Sequence, residues 1–566
     1  MATSEDKFQS SIDGGAVAPL APTENGVNKT ESEYLEGYKL WVLVGCLTFA
    51  GFLLMLDESV ISTAIPEITT HFGSLNDVGW YGTAYLLTNC ALQPLSGKIY
   101  QEFDIKKSFL VFFFIFELGS ALSGAATSPE MLITGRAVAG MGGSGLLNGA
   151  YGIIHGIAPL EKQPQLLGIV IGLSLLGILS GPLIGGLLTE FASWRWCFYI
   201  NIPSGALAAF LIVFISFPGK KPITKKPLLQ RLLALDLVGF FFFAPAAMML
   251  IFAVEWGGTM HAWGSATIIG LFVGSGLTFL VFVAWEYHVG SGAMIPLSII
   301  GRRVIWCSCL YMLFFIGSAL TAIYYLPLYF QTVRHASPTM SGVDLLPSII
   351  ATSLFSIVAG GLMEKLGYYM PMAIVGSILA AIGAGLCSMF DPTTSIGTWI
   401  GFQILMSAGR GLGFQTPLIA VQNHSTKDEI SIVNALVVFA QYLGGALFLS
   451  LDKTVFTSSL KHYLHEYAPE VDPALIVNLG ALGVKQVQPA ATRKFVELAY
   501  SKAIQRVMYL GAASAAFGLL FAFGMGWTNI KKKAAAEKLS RLEEGAQKPE
   551  ASITSDSIRS GEKTAV

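Results

Sequence analysis

The chain has 566 residues, of which 53% are hydrophobic and only 13% are Asp, Glu, Lys or Arg, about half the roughly 25% charged content of a soluble domain. So few charges cannot cover a water-exposed surface, which excludes an ordinary soluble protein and leaves a lipid bilayer as the solvent. The formal net charge of -1 says nothing about a partner, because the charges gather in the tails, the connectors and one long loop.

Residues 1–40 are polar, rather acidic and rich in Gly, Pro, Ser and Thr, and read as a disordered tail without a cleavable signal. Apolar runs of roughly 20 residues, the length that spans a bilayer core of roughly 30 Å, follow it. They lie at 41–63, 79–97, 108–127, 131–153, 166–189, 197–217, 235–254, 266–287, 304–330, 345–363, 369–389, 398–420, 431–451 and 507–528. About fourteen crossings therefore order the chain as an all-α membrane protein. An even count puts both ends on one side. With the N-terminus inside, the inner connectors carry Lys106, Lys107, Lys162, Lys220, Lys221, Lys225, Lys226, Arg231, Arg302, Arg303, Lys365 and Lys427. The short outer connectors carry little beyond Arg195 and Arg334. Positive loops stay inside, so both tails are expected to be cytoplasmic.

The chain repeats itself. GKIYQEFDIKK (97–107) closes span 2 and GGLMEKLGYY (360–369) closes span 10; GRAVAGMG (135–142) lies in span 4 and GRGLGF (409–414) in span 12. Spans 1 to 6 and 9 to 14 thus read as counterparts, with spans 7 and 8 as an inserted pair. The expected organisation is a cytoplasmic tail (1–40), an N-terminal six-helix bundle (41–217) and a basic linker with two inserted helices (218–303). A C-terminal six-helix bundle (304–528) with a long outer loop (452–506) and a cytoplasmic tail (529–566) complete it.

The six cysteines lie singly or as one C-x-C in apolar runs, forming neither a disulfide framework nor a zinc pattern. G-x-G-x-x-G at Gly140, Gly142 and Gly145 sits inside a span with no strand before it, so it is no dinucleotide site, and no phosphate loop for an ATP-driven pump occurs. No cofactor is expected, and no enzyme chemistry.

The strongest local signal is GLSLLGILSGPLIGG in span 5, where Gly172, Gly177, Gly181, Gly185 and Gly186 fall near one stripe and Pro182 interrupts the backbone. Small residues spaced by four let two helices approach closely, and a membrane helix can hold a proline whose freed carbonyl finds another partner. Gly177, Gly181, Pro182, Gly185 and Gly186 resemble the antiporter motif of the major facilitator superfamily. Leu56-Asp57-Glu58-Ser59-Val60-Ile61 with Ala64-Ile65-Pro66 resembles the first-helix signature of its fourteen-span drug:proton antiporters, and WRWCFYINIP (194–203) the segment before their span 6. The likeness covers about residues 40–530 and points to the fungal toxin-export branch. It implies the major facilitator fold and proton-driven export by alternating access. In the loop after span 2, Gln101, Glu102 and Asp104 replace the usual acid, Arg and Gly, and Ala139 stands where a Gln is frequent. The inner gating loops are then Gly97, Lys106 and Lys107 with their second-half copy Glu364, Lys365 and Gly367.

Ionisable residues at membrane depth are costly and signal function. Asp57 is the first candidate for the proton carrier, with Arg136 as its partner, Arg410 as the equivalent in the other half and Glu117 as a further acid. Tyr85, Asn89, Gln93, Asn148, Tyr324, Gln415 and Gln441, with Gln403, Gln422 and Asn434, are candidates for a largely uncharged substrate cavity.

The expected partners are a small hydrophobic or amphipathic molecule, protons and lipid, with no nucleic acid, and the expected state is a monomer in the plasma membrane. Two alternatives stay open at this point: a vacuolar basic amino acid or siderophore transporter, and a transporter-like receptor that signals without turnover.

Overall fold

The computed structural model describes residues 34–73, 78–215, 227–258, 260–473, 476–477 and 490–546. The expectations for residues 1–33, for Lys220, Lys221, Lys225 and Lys226, for 474–475 and 478–489 of the outer loop, and for 547–566 lie outside them.

The described residues are helical almost throughout, because a bilayer offers no partner to a backbone N–H or C=O and each segment must bond to itself. The first bundle holds α1 (Tyr38–Phe72), α2 (Val78–Glu102), α3 (Ile105–Gly124), α4 (Pro129–Ile157), α5 (Gln163–Ser174), α6 (Leu176–Phe191), α7 (Trp196–Tyr199) and α8 (Asn201–Phe214). Next come α9 (Leu228–Leu233), α10 (Leu237–Trp256), α11 (Ala266–Val289) and α12 (Leu297–Ile300). The second bundle holds α13 (Arg303–Thr332), α14 (Pro338–Val343), α15 (Leu346–Leu366), α16 (Met370–Cys387), α17 (Ile396–Gly413), α18 (Thr416–Asn423), α19 (Ile430–Tyr467) and α20 (Ala490–Ala522). A surface helix, α21 (Ile530–Ala546), follows.

Among the described residues, ten stretches are long and apolar enough to cross a membrane by length and composition. The other expected crossings correspond to α2, α3, α4 and α17–α18, helices interrupted by glycine, charged or polar residues. Chemistry marks the helix starts. Ser128 accepts from Met131 N with Pro129 in the first turn, and Asp104 accepts from Lys107 N, so Asp104 serves as a helix cap.

Both described ends of the chain lie on one side. Leu35 N donates to Ile157 O at the end of α4, and Ile530 N donates to Gly367 O after α15. Gly360, near that end of α15, packs on Pro164 and Gln165 at the start of α5, which joins the two corners. We call this the terminal side.

Within the bundles, α3 packs on α4 as α16 packs on α17. Between them, α5 meets α15 and α19 meets α2. The span-by-span correspondence between the halves exchanges these two cross-bundle contacts, as a repeated architecture requires. Of the inserted pair, α10 lies against both α2 and α19, whereas α11 packs chiefly on α10 and shows most of its surface outward. A loop fixes the terminal end of this pair to the first bundle. Met294 N and Ile295 N donate to Asp236 and Glu286, while Lys98 of α2 donates to Ala293 O at 3.0 Å.

Two stretches differ from the sequence expectation. The fifth span is irregular at Leu175, which keeps a helical φ of -61° and ψ of -22°, and α5 and α6 on its two sides use their glycines against different neighbours. The stretch after 452, expected as loop, continues as helix to Tyr467, and α20 begins at Ala490. These extensions persist because they bury an apolar face: Leu460 and Leu464 pack with Val496, Ala499, Tyr500, Phe390 and Trp399 in a core that continues into α13, α16 and α17 of the second bundle.

Candidate functional site

The glycine stripe determines where α1 lies. A side chain at Gly177, Gly181 or Gly185 would collide with Phe52, Ser59, or Val60 and Thr63, so α6 approaches α1 to backbone distance along that stretch. Ser59 Oγ donates to Gly177 O at 3.3 Å across the seam. Gly168 and Gly172 on α5 instead approach Ser356 O and Ser353 O of α15 in the other bundle. Gly186 faces open space and Pro182 is exposed. One glycine-rich span thus clamps α1 in its own bundle and seals against the opposite one.

The clamped stretch of α1 carries Asp57. Its carboxylate is fully buried, and Arg136 Nη1 of α4 donates to Oδ2 at 2.6 Å. Asn201 Nδ2, at the start of α8, donates to Oδ1 at 3.0 Å. Arg136 Nε also donates to Tyr81 O at 3.1 Å, and its guanidinium lies 4.6 Å from the Tyr85 ring centroid. The arginine therefore reaches into α1 and α2 at once. Losing one partner of such a buried pair costs about 3–5 kcal/mol, because the remaining charge has no water to solvate it. Asn201 belongs to the W-R-W-C-F-Y-I-N-I-P run, so that motif supplies the second ligand of Asp57. Its Arg195 donates to Gly124 O and Ala126 O at the end of α3, which anchors the turn that aims Asn201 inward.

The other acid and arginine candidates have different surroundings. Glu117 of α3 faces Gly205 of α8, with neither carboxylate oxygen hydrogen-bonded, and lies within electrostatic reach of Asp57. Arg410 has no carboxylate partner among the described residues: it donates to Ala319 O (3.1 Å), Ser348 Oγ and Ser407 Oγ (both 2.8 Å). The two halves are alike in fold and unlike in charge pairing here.

Among the cavity candidates, Tyr85, Asn89 and Gln93 form one ladder on α2. Gln93 Nε2 donates to Asn89 Oδ1 at 2.9 Å, and Asn89 Nδ2 donates to Tyr442 Oη of α19 at 3.1 Å. Tyr324 is half-exposed on α13, and Gln441 is part-buried on α19. Asn148 and Gln415 serve contacts instead. Asn148 donates to Ser431 O at 3.2 Å when its amide is turned to suit its neighbours, and Gln415 Nε2 donates to Ser356 O at 3.2 Å. Gln422 Nε2 donates to Asn434 Oδ1, and Gln403 Nε2 to Asp344 O.

The gating-loop residues are placed as follows. Gly97 packs on Ser431, Ile432 and Ala435 at the start of α19. Lys106 Nζ donates to Val213 O and Ile215 O at the end of α8, and Lys107 is exposed. Lys365 O accepts from Lys531 Nζ at 2.8 Å, and Gly367 takes a positive φ of 76° to end α15. Glu364 forms no hydrogen bond or ion pair with a described residue. The tight cross-bundle approaches at Gly97, Gly360 and Gly168 all lie toward the terminal side, which makes that side the closed one.

Two acids escaped the sequence reading. Asp452, assigned there to an outer loop, is fully buried within α19 and accepts from Thr321 Oγ1 at 2.7 Å. Glu58, quoted only as part of a motif, stands beside Asp57 with its own set of neighbours. The signal for Glu58 was present in the doubled acid of the first span.

Paired helical bundles with an acid–arginine pair buried at membrane depth define a class of helical membrane transporters. Residues 47–449 match the model of the Major Facilitator Superfamily, and the chain belongs to that superfamily. It is 49% identical to the efflux pump mlcE of Penicillium citrinum over 89% of this chain and 93% of that one. It is 46% identical to the MFS-type transporter pigP of Monascus ruber over 91% and 90% of the two chains. Identity to the efflux pump mokI of Monascus pilosus is 48% over 89% and 94%. In fold it is similar to the proton:xylose symporter XylE, with a TM-score of 0.57 at 14% identity over 88% of this chain and 99% of that one.

Proposed function

We propose that this chain is a proton-coupled exporter of a small hydrophobic or amphipathic organic compound, such as a toxin, drug or secondary metabolite, working by alternating access in the plasma membrane with both tails cytoplasmic. The observation that carries the reading is the Asp57–Arg136 pair, buried on the helix that the glycine stripe clamps. An ion pair in lipid is retained where a charge must be held or moved. The named efflux pumps among its relatives support the outward direction, and the lysines and arginines of the terminal-side loops support the orientation.

In this cycle the bundles rock about a site near the middle of α1, α2, α13 and α19, and proton binding at the acidic cluster of α1 biases which side is open. No covalent step is needed. Inward proton movement drives the compound outward if both ligands stabilise opposite states of the same cluster.

The test is uptake of a panel of candidate metabolites into inside-out vesicles under an imposed pH gradient. Uptake that collapses when the gradient is dissipated supports the reading. Uptake that ignores the gradient and survives Asp57→Asn overturns it.

A further inference from the structure

Asp57 and Glu58 are neighbours in sequence but point about 100° apart around α1. Asp57 turns into its own bundle, where both oxygens are taken, one by Arg136 and one by Asn201. Glu58 is half-buried and forms no hydrogen bond or ion pair with a described residue. The ionisable groups within its electrostatic reach come from both bundles: Arg136 of α4 and Tyr85 of α2 on one side, Tyr324 of α13 and Tyr442 of α19 on the other, with Asp57 on its own helix. Glu58 therefore stands at the seam between the bundles, on the part of α1 away from the closed terminal side.

The charges in this cluster do not balance. Two carboxylates, Asp57 and Glu58, share one guanidinium, Arg136, in a setting that disfavours a surplus charge. Asp57 is already neutralised at 2.6 Å. Protonating it would break that pair and strand Arg136 against a carbonyl and aromatic faces. Protonating Glu58 breaks nothing and removes the surplus. Glu117 of α3 also lacks a hydrogen bond, but it faces Gly205 of α8 inside the first bundle, so Glu58 is the unpaired carboxyl at the seam and takes up and releases a proton at least structural cost.

We infer that Glu58, and not Asp57, is the carboxyl that exchanges protons with water between the bundles and that a hydrogen-bond donor of the substrate displaces this proton. This rests on the proton-coupled reading above and deepens it. Asp57 is then a positioning residue that holds Arg136 and α1 in place. The compound that competes best at Glu58 carries a hydroxyl or a protonated amine on a flat apolar body. Its donor meets the carboxylate, while the rings of Tyr324 and Tyr442 offer stacking faces and, for an amine, cation–π contact.

The experiment uses the full chain in proteoliposomes and needs no known substrate. Infrared difference spectra are recorded on lowering the pH for wild type, Glu58→Gln, Glu58→Asp and Asp57→Asn. The expected result is a carboxylic-acid band that wild type gains, E58Q lacks, E58D keeps at a shifted position, and D57N retains. A wild-type band that is unchanged in E58Q, or lost in D57N while E58Q keeps it, overturns the inference. Should D57N not fold, E58Q and E58D decide between the same two results. With a compound found by the vesicle screen, gradient-driven uptake should fall by about tenfold or more in E58Q, and uptake with an unchanged pH profile in E58Q also overturns the inference. If wild type transports without regard to the gradient, the function proposed above fails, and the band still shows which carboxyl titrates.

Discussion

Gly181 of α6 lies so close against Ser59 of α1 that any side chain at position 181 would overlap the serine hydroxyl. The contact falls two residues from Asp57, and it ties the packing of the fifth span to the position of the charged stretch of the first. A sequence motif of glycines and a proline thereby becomes a statement about where a carboxylate stands.

Overpacking such a seam costs about 1–3 kcal/mol. Gly181→Ala is expected to lower the thermal midpoint of the purified protein and to abolish transport. Gly186→Ala, five residues on and facing open space, should match wild type in both, within about 0.5 kcal/mol. Equal behaviour of the two variants in a paired unfolding and transport assay would remove the clamp from the account.

The Asp57–Arg136 pair should behave as a unit. Each single change, Asp57→Asn or Arg136→Gln, strands a buried partner and is expected to destabilise by about 3–5 kcal/mol. The double variant removes both charges and should be more stable than the sum of the single losses implies. Thermal unfolding in one detergent across the four proteins completes the cycle. Additive losses would mean that the two side chains do not interact.

The spans, the repeat, Asp57, Arg136 and the glycine stripe were legible because hydropathy, loop charge and residue spacing are properties of local sequence. What hydropathy cannot report is direction around a helix. Asp57 and Glu58 read as one acidic dipeptide, yet one is enclosed by Arg136 and Asn201 and the other is left without a partner. The irregularity at Leu175 was equally hidden, since glycines on either side of it look like one stripe until their neighbours, α15 and α1, are known. Asp452 was assigned to a loop because Asp452 and Lys453 end the apolar run, although the helix continues and buries the aspartate.

The closed terminal side makes a cross-linking prediction. A Cβ at Gly152 of α4 would stand 4.0 Å from Ser431 Oγ at the start of α19 and 3.1 Å from the movable end of the Ile105 side chain, so the two positions face each other across the bundles. Gly152→Cys with Ser431→Cys should cross-link on mild oxidation, arrest transport, and recover activity on reduction. A cross-link that leaves transport intact would mean that the bundles need not part there.

At the same side, Arg302 Nη1 and Nη2 donate to Glu429 Oε2 and Oε1 at 2.8 and 2.6 Å. Chiefly through these hydrogen bonds, Arg302 holds the Glu429 carboxyl below its ordinary value of 4.5, against the opposing effect of burial. Because the folded value is the lower one, the bridge contributes stability above 4.5 that is lost as pH falls through the folded value. Arg302→Met should therefore unfold at a lower temperature than wild type near neutral pH, with the gap closing on acidification below 4.5. A gap that is the same at every pH would contradict this assignment.

If a proton moves against the exported compound, lumenal pH reports it most directly. Proteoliposomes holding a trapped pH dye start with equal pH on both sides, and a compound found by the vesicle screen is supplied as the only gradient. Protons are expected to move opposite to the compound in wild type, and this movement is expected to disappear in Glu58→Gln. Flux of the compound with no change in lumenal pH in the wild type would contradict this expectation.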